Sequence, residues 1–116
     1  MKTIKGPDGK VTNVFVTPEG GTNTVYQGID RATEEVKYIG ITQRNPDIRF
    51  DEHQNSGTEK SLLRFQEIDG LNNLNRIDAR VIEQTLQNGY GMDNLLNIRN
   101  SISPTYWENY HIPKSW

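Results

Sequence analysis

The stretch VYQGIDRATEEVKYIGIT sets Tyr26 two positions before Gly28 and Tyr38 two positions before Gly40, so the same pair recurs twelve residues apart. Downstream, Arg49 and His53 are four apart, a spacing that puts both on one face of a helix. Glu83 stands in the most regular helical pattern of the chain. With no cysteine and only two histidines, thiolate catalysis, sulfur-ligated zinc and disulfide frameworks are removed, and an all-histidine metal site is disfavoured. Phenol, guanidinium, imidazole and carboxylate remain, groups that move protons and hold anions or hard cations. A free phenol titrates near ~10, so a phenolate at pH 7 costs roughly 4 kcal/mol unless a neighbouring cation lowers that cost. Each residue also has an ordinary alternative. The tyrosines can be packed strand aromatics, Glu83 can pair with Arg80 or Arg76, and Arg49 and His53 can be surface charge beside Asp51 and Glu52.

The elements that must position these groups follow from local pattern. IKGPDGKVTNVFVT has a Pro-Asp-Gly turn and then Val11, Val14 and Val16 among polar residues, which predicts a short strand or hairpin. PEGGTN reads as a loop. NTVYQGI and VKYIGIT read as antiparallel strands joined by the exposed connection DRATEE. Asn45 can cap a helix that starts at Pro46 and ends near Ser56-Gly57. SLLRFQEI reads as a third strand before the Asp69-Gly70 turn. Between Asn73 and Asn88, Leu74, Ile77, Val81, Ile82 and Leu86 recur at helical spacing, with Gly89 and Gly91 expected to stop the helix. MDNLLNIRNSISP reads as a short turn or helix and TYWENYHIPKSW as an aromatic tail. The order β-β-α-β-α predicts an α+β fold, a small three-stranded antiparallel sheet flanked by helices with a short N-terminal strand or hairpin extension. One domain spans 1–116, divided into an extension over 1–22, a core over 23–100 and the tail over 101–116.

Length and composition agree with one modest core. The 116 residues are 33% hydrophobic and 24% charged, polar for a globular chain but outside the disordered range. No run of about 18 apolar residues occurs, and MKTIKGPDGK has no apolar signal core. Export would therefore require another segment to carry the domain. A formal charge of −2 counts against strong non-specific nucleic-acid binding while allowing a local basic face. Arg31, Lys37, Arg44, Arg49, Lys60 and Arg64 crowd the first half, where the hairpin and first helix would make a substrate face.

Taken in order, TVYQGI, KYIGIT, RFDEH, EQTL and LLN resemble the GIY-YIG nuclease superfamily over about Thr24 to Asn97. YIG is present as Tyr38, Ile39 and Gly40, while Thr24, Val25 and Tyr26 stand where that family has Gly-Ile-Tyr. The resemblance implies metal-assisted hydrolysis of a phosphodiester. It makes Glu83 the single metal-binding carboxylate for Mg²⁺ or another divalent cation, and one carboxylate suffices because Mg²⁺ keeps waters and takes phosphate oxygens. It makes Arg49 the grip on the scissile phosphate, a task suited to a planar guanidinium. His53 would relay a proton or polarise a tyrosine. Tyr26 is the candidate general base with Tyr38 beside it, the two roles being interchangeable at this stage. Gly28 and Gly40 would keep the strand surface open to the phosphate backbone, Arg44 would join in binding substrate, and Asn97, or else Asn94, would orient the site.

No helix-turn-helix or zinc-finger pattern accompanies the module, so low sequence specificity is expected. A freestanding nuclease of that kind endangers its own cell. GPDGKVTNVFV and NLLNIRNSISPTYW also resemble GIY-YIG modules at the C-termini of bacterial polymorphic toxins of the Rhs and contact-dependent type. That resemblance implies a toxic effector delivered into a target cell by its parent polypeptide, a DNA substrate, and a cognate immunity protein as partner. RNA, such as tRNA, is the alternative substrate, and a non-catalytic binding module on the same fold is the alternative function.

Overall fold

Turn chemistry builds the first element of the computed structural model, which describes all 116 residues. Strands β1 (Lys2–Lys5) and β2 (Val11–Val14) pair antiparallel across the Pro7–Gly9 turn. Asp8 and Gly9 both adopt positive φ there, as a tight reversal of this kind requires. Ile4 and Val14 carry the hairpin into the main core, whereas Val11 stays exposed.

The central sheet contains β3 (Thr24–Asp30), β4 (Val36–Thr42) and β5 (Leu63–Glu67), in the order β4-β3-β5 and antiparallel throughout. Asp30 makes the β3–β4 turn by accepting the backbone N–H groups of Ala32 and Thr33 at 2.8 and 2.9 Å. Helix α1 (Pro46–Gln54) starts where the sequence predicts it, with the Asn45 side chain accepting the Asp47 N–H and Pro46 in the first turn. Helix α2 (Arg76–Tyr90) is capped by Asn75, whose side chain accepts the Asp78 N–H at 2.8 Å.

Two sequence expectations are corrected here. Helix α2 runs through Gly89 and ends at Gly91, which has φ +88. The reason is long-range: a Cβ at Gly89 would lie 2.5 Å from the Trp116 ring, and the same indole packs on Gly6 and donates to the Thr85 carbonyl at 2.8 Å. Gly89 is a packing notch for the C-terminus. Ile77, expected in the core, is half exposed on the opposite side of the helix from Ala79, Ile82 and Leu86.

Consecutive strand residues face opposite sides of the sheet. Val25 and Ile39 face α2 and pack with Ile82 and Leu86 in one cluster that also takes Ile102 and Ile112 from the tail. Tyr26 and Phe65 face α1, where Phe50 and His53 meet them. No helix is long and apolar enough to cross a membrane.

Candidate active site

The register explains the repeated Tyr-Gly pair. Tyr26 lies directly opposite Gly40, and Gly28 opposite Tyr38, so all four share one face of the sheet. A Cβ at Gly40 would come within 2.4 Å of the Tyr26 ring, and one at Gly28 within 2.8 Å of Leu63 and Phe65. The space left by each glycine is therefore filled from within the chain. This corrects the expectation that Gly28 and Gly40 hold a strand surface open to substrate.

Beneath that face the rings of Tyr26, Tyr38, Phe50, His53 and Phe65 form one aromatic cluster, with His53 stacked on Phe65 at 4.7 Å and 19°. Tyr26 is 1% exposed and His53 3%. Tyr26 Oη lies 2.8 Å from His53 Nε2. The positive Arg49 guanidinium favours the ionised form of both phenols, against their burial. The direction of the Tyr26–His53 bond follows the imidazole tautomer, since either the phenol or an Nε2–H can donate. Burial, reinforced by the positive charges of Arg49 and Lys60, lowers the His53 pKa to about 4. The imidazole is therefore neutral at pH 7. Burial, with the neighbouring Tyr38, pushes the Tyr26 phenol well above its ordinary value.

The two tyrosines thereby acquire different positions. Tyr26 is enclosed, while Tyr38 lines an open cavity of about 650 Å³. Lys60 Nζ sits 4.6 Å from the Tyr38 ring centroid, a cation–π geometry. Burial and the Glu83 carboxylate raise the Tyr38 pKa, with Arg49 opposing them. Glu83, Arg76, Arg80 and Asn97 line the same cavity. Asn97 clamps the free edge of β4: its Oδ1 accepts the Ile39 N–H at 3.0 Å and its Nδ2 donates to the Ile39 carbonyl at 2.7 Å. Because Ile39 lies between Tyr38 and Gly40, this clamp fixes the direction of Tyr38. Asn94 instead donates to the Tyr90 carbonyl at 2.9 Å, away from this cavity.

Glu83 is buried and has no cation within ion-pair distance. Burial raises its pKa, while Ser101, Arg76 and Arg80 act in the other direction. It offers one hard oxygen donor to the cavity, and no group of three or more metal-ligating side chains converges anywhere. That donor set fits Mg²⁺, which accepts one protein carboxylate together with water and phosphate oxygens.

Arg44, expected to bind substrate, is exposed and ion-paired with Glu52, which Arg49 also approaches at 3.4 Å. The other first-half cations are similarly engaged: Arg31 donates to Gln54, Lys37 pairs with Glu35 and Arg64 with Glu34. Of that group Lys60 alone lines the cavity. The cavity also takes Arg99, and Arg76 and Arg80, which the sequence offers only as ion-pair partners of Glu83 and which form no such pair. Their signal was present, since Arg76, Arg80, Glu83 and Gln87 follow the 4-3-4 spacing of one helical stripe.

The wall opposite β4 is segment 97–102, held to α2 by side-chain amides. Gln84 Oε1 accepts the Ile102 N–H at 2.9 Å and its Nε2 donates to Asn100 at 3.1 Å, while Gln87 Oε1 accepts the Ser101 N–H at 3.2 Å. Gln84 and Gln87 are both fully buried. No family model, curated protein or solved structure matches this chain.

Proposed function

We propose that the chain is a metal-dependent endonuclease of the GIY-YIG type that hydrolyses DNA phosphodiester bonds with little sequence preference. The observation that carries this reading is the meeting of Tyr38, Lys60, Arg76, Arg80 and Glu83 in one open cavity, with the Arg49 charge favouring the Tyr38 phenolate. A phosphodiester needs cationic donors for its oxygens, a proton acceptor for the attacking water and an anchor for a divalent cation. Each requirement has a candidate here.

Lys60, Arg76 and Arg80 take the anionic oxygens within the cavity, whereas Arg49, which does not line it, acts through the Tyr38 phenol rather than as the direct grip on the phosphate. Tyr38 rather than Tyr26 takes the proton of the attacking water, because Tyr38 lines the cavity and Tyr26 is enclosed. Tyr26 and His53 act as positioning residues that fix Arg49. At rest Tyr38 holds its proton, since both burial and Glu83 raise its pKa; Lys60 and Arg49 stand where they favour the phenolate. Glu83 would hold Mg²⁺, which when bound supplies Lewis-acid charge to the phosphate oxygens.

The toxin setting, with delivery by a larger polypeptide and a cognate immunity protein, belongs to the same proposal and rests on the sequence resemblance. The test is plasmid nicking with and without EDTA, beside Glu83→Gln, Arg49→Ala and Tyr38→Phe, with total RNA incubated in parallel. Cleavage by the wild type should require the divalent cation, disappear in Glu83→Gln, and fall roughly 10²–10³-fold in Arg49→Ala, the loss seen when one donor to a developing charge is removed. Undiminished cleavage in the variants would refute the site. Cleavage confined to RNA would reassign the substrate.

A further inference from the structure

A second, smaller hollow of about 280 Å³ is lined by Ile77, Arg80, Ile102, Ser103, Tyr106 and Tyr110. Arg80 is common to this hollow and the cation-lined cavity. Its Nε donates to the Ser101 carbonyl at 3.2 Å, and Nη2 bonds the same oxygen. The guanidinium is therefore fixed on the ridge between the two hollows, with its remaining N–H donors unspent. On one side of that ridge the lining is cationic; on the other it is aromatic and aliphatic.

The aromatic wall is built on an ordered support. Trp107 donates its indole N–H to the Ile102 carbonyl at 2.8 Å, and the Ile112 N–H returns to the Trp107 carbonyl at 2.9 Å. Ile102 and Ile112 are themselves buried. Tyr106 and Tyr110, four apart on this frame, remain 54% and 40% exposed. Large aromatic side chains held rigidly and left open are what a planar ligand stacks on at low entropic cost.

We propose that this hollow binds an unpaired nucleobase adjoining the phosphate cavity, so that single-stranded nucleic acid is the preferred substrate. This inference rests on the endonuclease reading above. The argument for a nucleobase is charge complementarity with continuity: a strand carries its negative charge on the backbone and flat apolar faces on its side groups. Lys60, Arg76 and Arg99 line the path to Arg80, and the tyrosines lie directly beyond. In a duplex the base faces are already stacked on their neighbours, so only an unpaired nucleotide can offer one.

The test measures binding, not cleavage. The full chain carrying Glu83→Gln, in EDTA, is titrated with a short oligodeoxynucleotide containing 2-aminopurine, and separately with the matching duplex. Stacking on a tyrosine should quench the 2-aminopurine fluorescence. Tyr106→Ala and Tyr110→Ala should weaken single-strand binding roughly 5- to 100-fold, the range found on removing one stacking platform, while Tyr106→Phe binds like the parent and duplex affinity is unchanged. Circular dichroism checks that the alanine variants fold, as their exposure leads us to expect. Unaltered single-strand affinity in folded alanine variants would overturn the subsite and leave the phosphate cavity standing. Failure of any oligonucleotide to bind would overturn the subsite, while plasmid cleavage with the divalent cation present decides the endonuclease reading separately. A self-dimer abolished by Tyr106→Ala in sedimentation velocity would reassign the hollow to a second copy of the chain and defeat the proposal.

Discussion

Replacing Gly40 by alanine tests how the Tyr-Gly pairs of β3 and β4 work. Gly40 has no positive φ, so its backbone accepts alanine and any cost comes from what the new methyl meets. That methyl would lie 2.4 Å from Tyr26 Cζ and 2.5 Å from its Oη, far inside van der Waals contact. Overpacking of this kind costs about 1–3 kcal/mol. Displacing the ring also breaks the 2.8 Å bond to His53 and leaves a buried imidazole nitrogen without its partner, worth about 1–3 kcal/mol more. The lower entropy of alanine in the unfolded chain returns about 0.4–1 kcal/mol. The expected net loss is on the order of 3 kcal/mol, within the roughly 6–17 kcal/mol available to a chain of this size, so the variant should fold. Urea unfolding followed by tryptophan fluorescence measures it. In a double-mutant cycle, Gly40→Ala made in a Tyr26→Val background should cost less by more than about 1 kcal/mol, because the obstructing ring is gone. Wild-type stability in Gly40→Ala, or an equal cost in both backgrounds, would refute the idea that Gly40 exists to seat Tyr26.

His53 gives a pH signature. Its pKa is about 4 in the folded chain against 6.5 in the unfolded one, so between those values the unfolded state binds the extra proton; stability should be full above pH 6.5 and decline by up to about 3 kcal/mol as pH falls to about 4. Unfolding free energies at pH 7.5 and 4.5 should show a smaller decline in His53→Gln, and an identical decline would remove His53 as the cause. Gln84→Leu should strip the Ile102 N–H of its buried acceptor, costing about 1–3 kcal/mol and accelerating amide exchange across 99–103. Unchanged exchange there would show that the cavity wall does not depend on the Gln84 amide.

How far the sequence disclosed this arrangement depended on the range of each interaction. Asn45-Pro46, the Pro7–Gly9 turn and the β-branched and aromatic residues of β3 and β4 are local signals, and the elements they predict are present at those positions. The i, i+4 spacing of Arg49 and His53 likewise placed both toward the tyrosines. Gly89 was misread because its neighbour, Trp116, is 27 positions away and arrives through the tail. The glycines of the hairpin were misread for the same reason: only the strand register shows that Tyr26 occupies the space over Gly40. The burial of Gln84 and Gln87 was equally invisible, because these amides are polar residues inside a helix and their partners lie on a segment with no regular structure. Ile77 had the spacing of a core residue but lies where the helix faces the small aromatic hollow.

The formal charge of −2 reads differently once each charge has a place. Glu34, Glu35 and Glu52 are matched by Arg64, Lys37 and Arg44 in pairs that reach solvent, where such pairs contribute little stability, and Glu52 also meets the site residue Arg49 at 3.4 Å. Lys60, Arg76, Arg80 and Arg99 have no carboxylate within ion-pair distance, although Glu83 lines the same cavity. Four cations around one buried carboxylate repel one another, and folding alone gives no reason to assemble them. A polyanion entering the cavity would relieve that repulsion, which is the substrate chemistry of the function proposed above. Net charge therefore bears on solubility and long-range attraction, whereas under the proposed function substrate choice would follow from the unpaired cations that line the cavity. In this chain Arg76 and Arg80 on one helix stripe, Arg99 on the facing wall and Lys60 beside Tyr38 line the cavity, and Tyr38 is the only tyrosine of the central sheet that does.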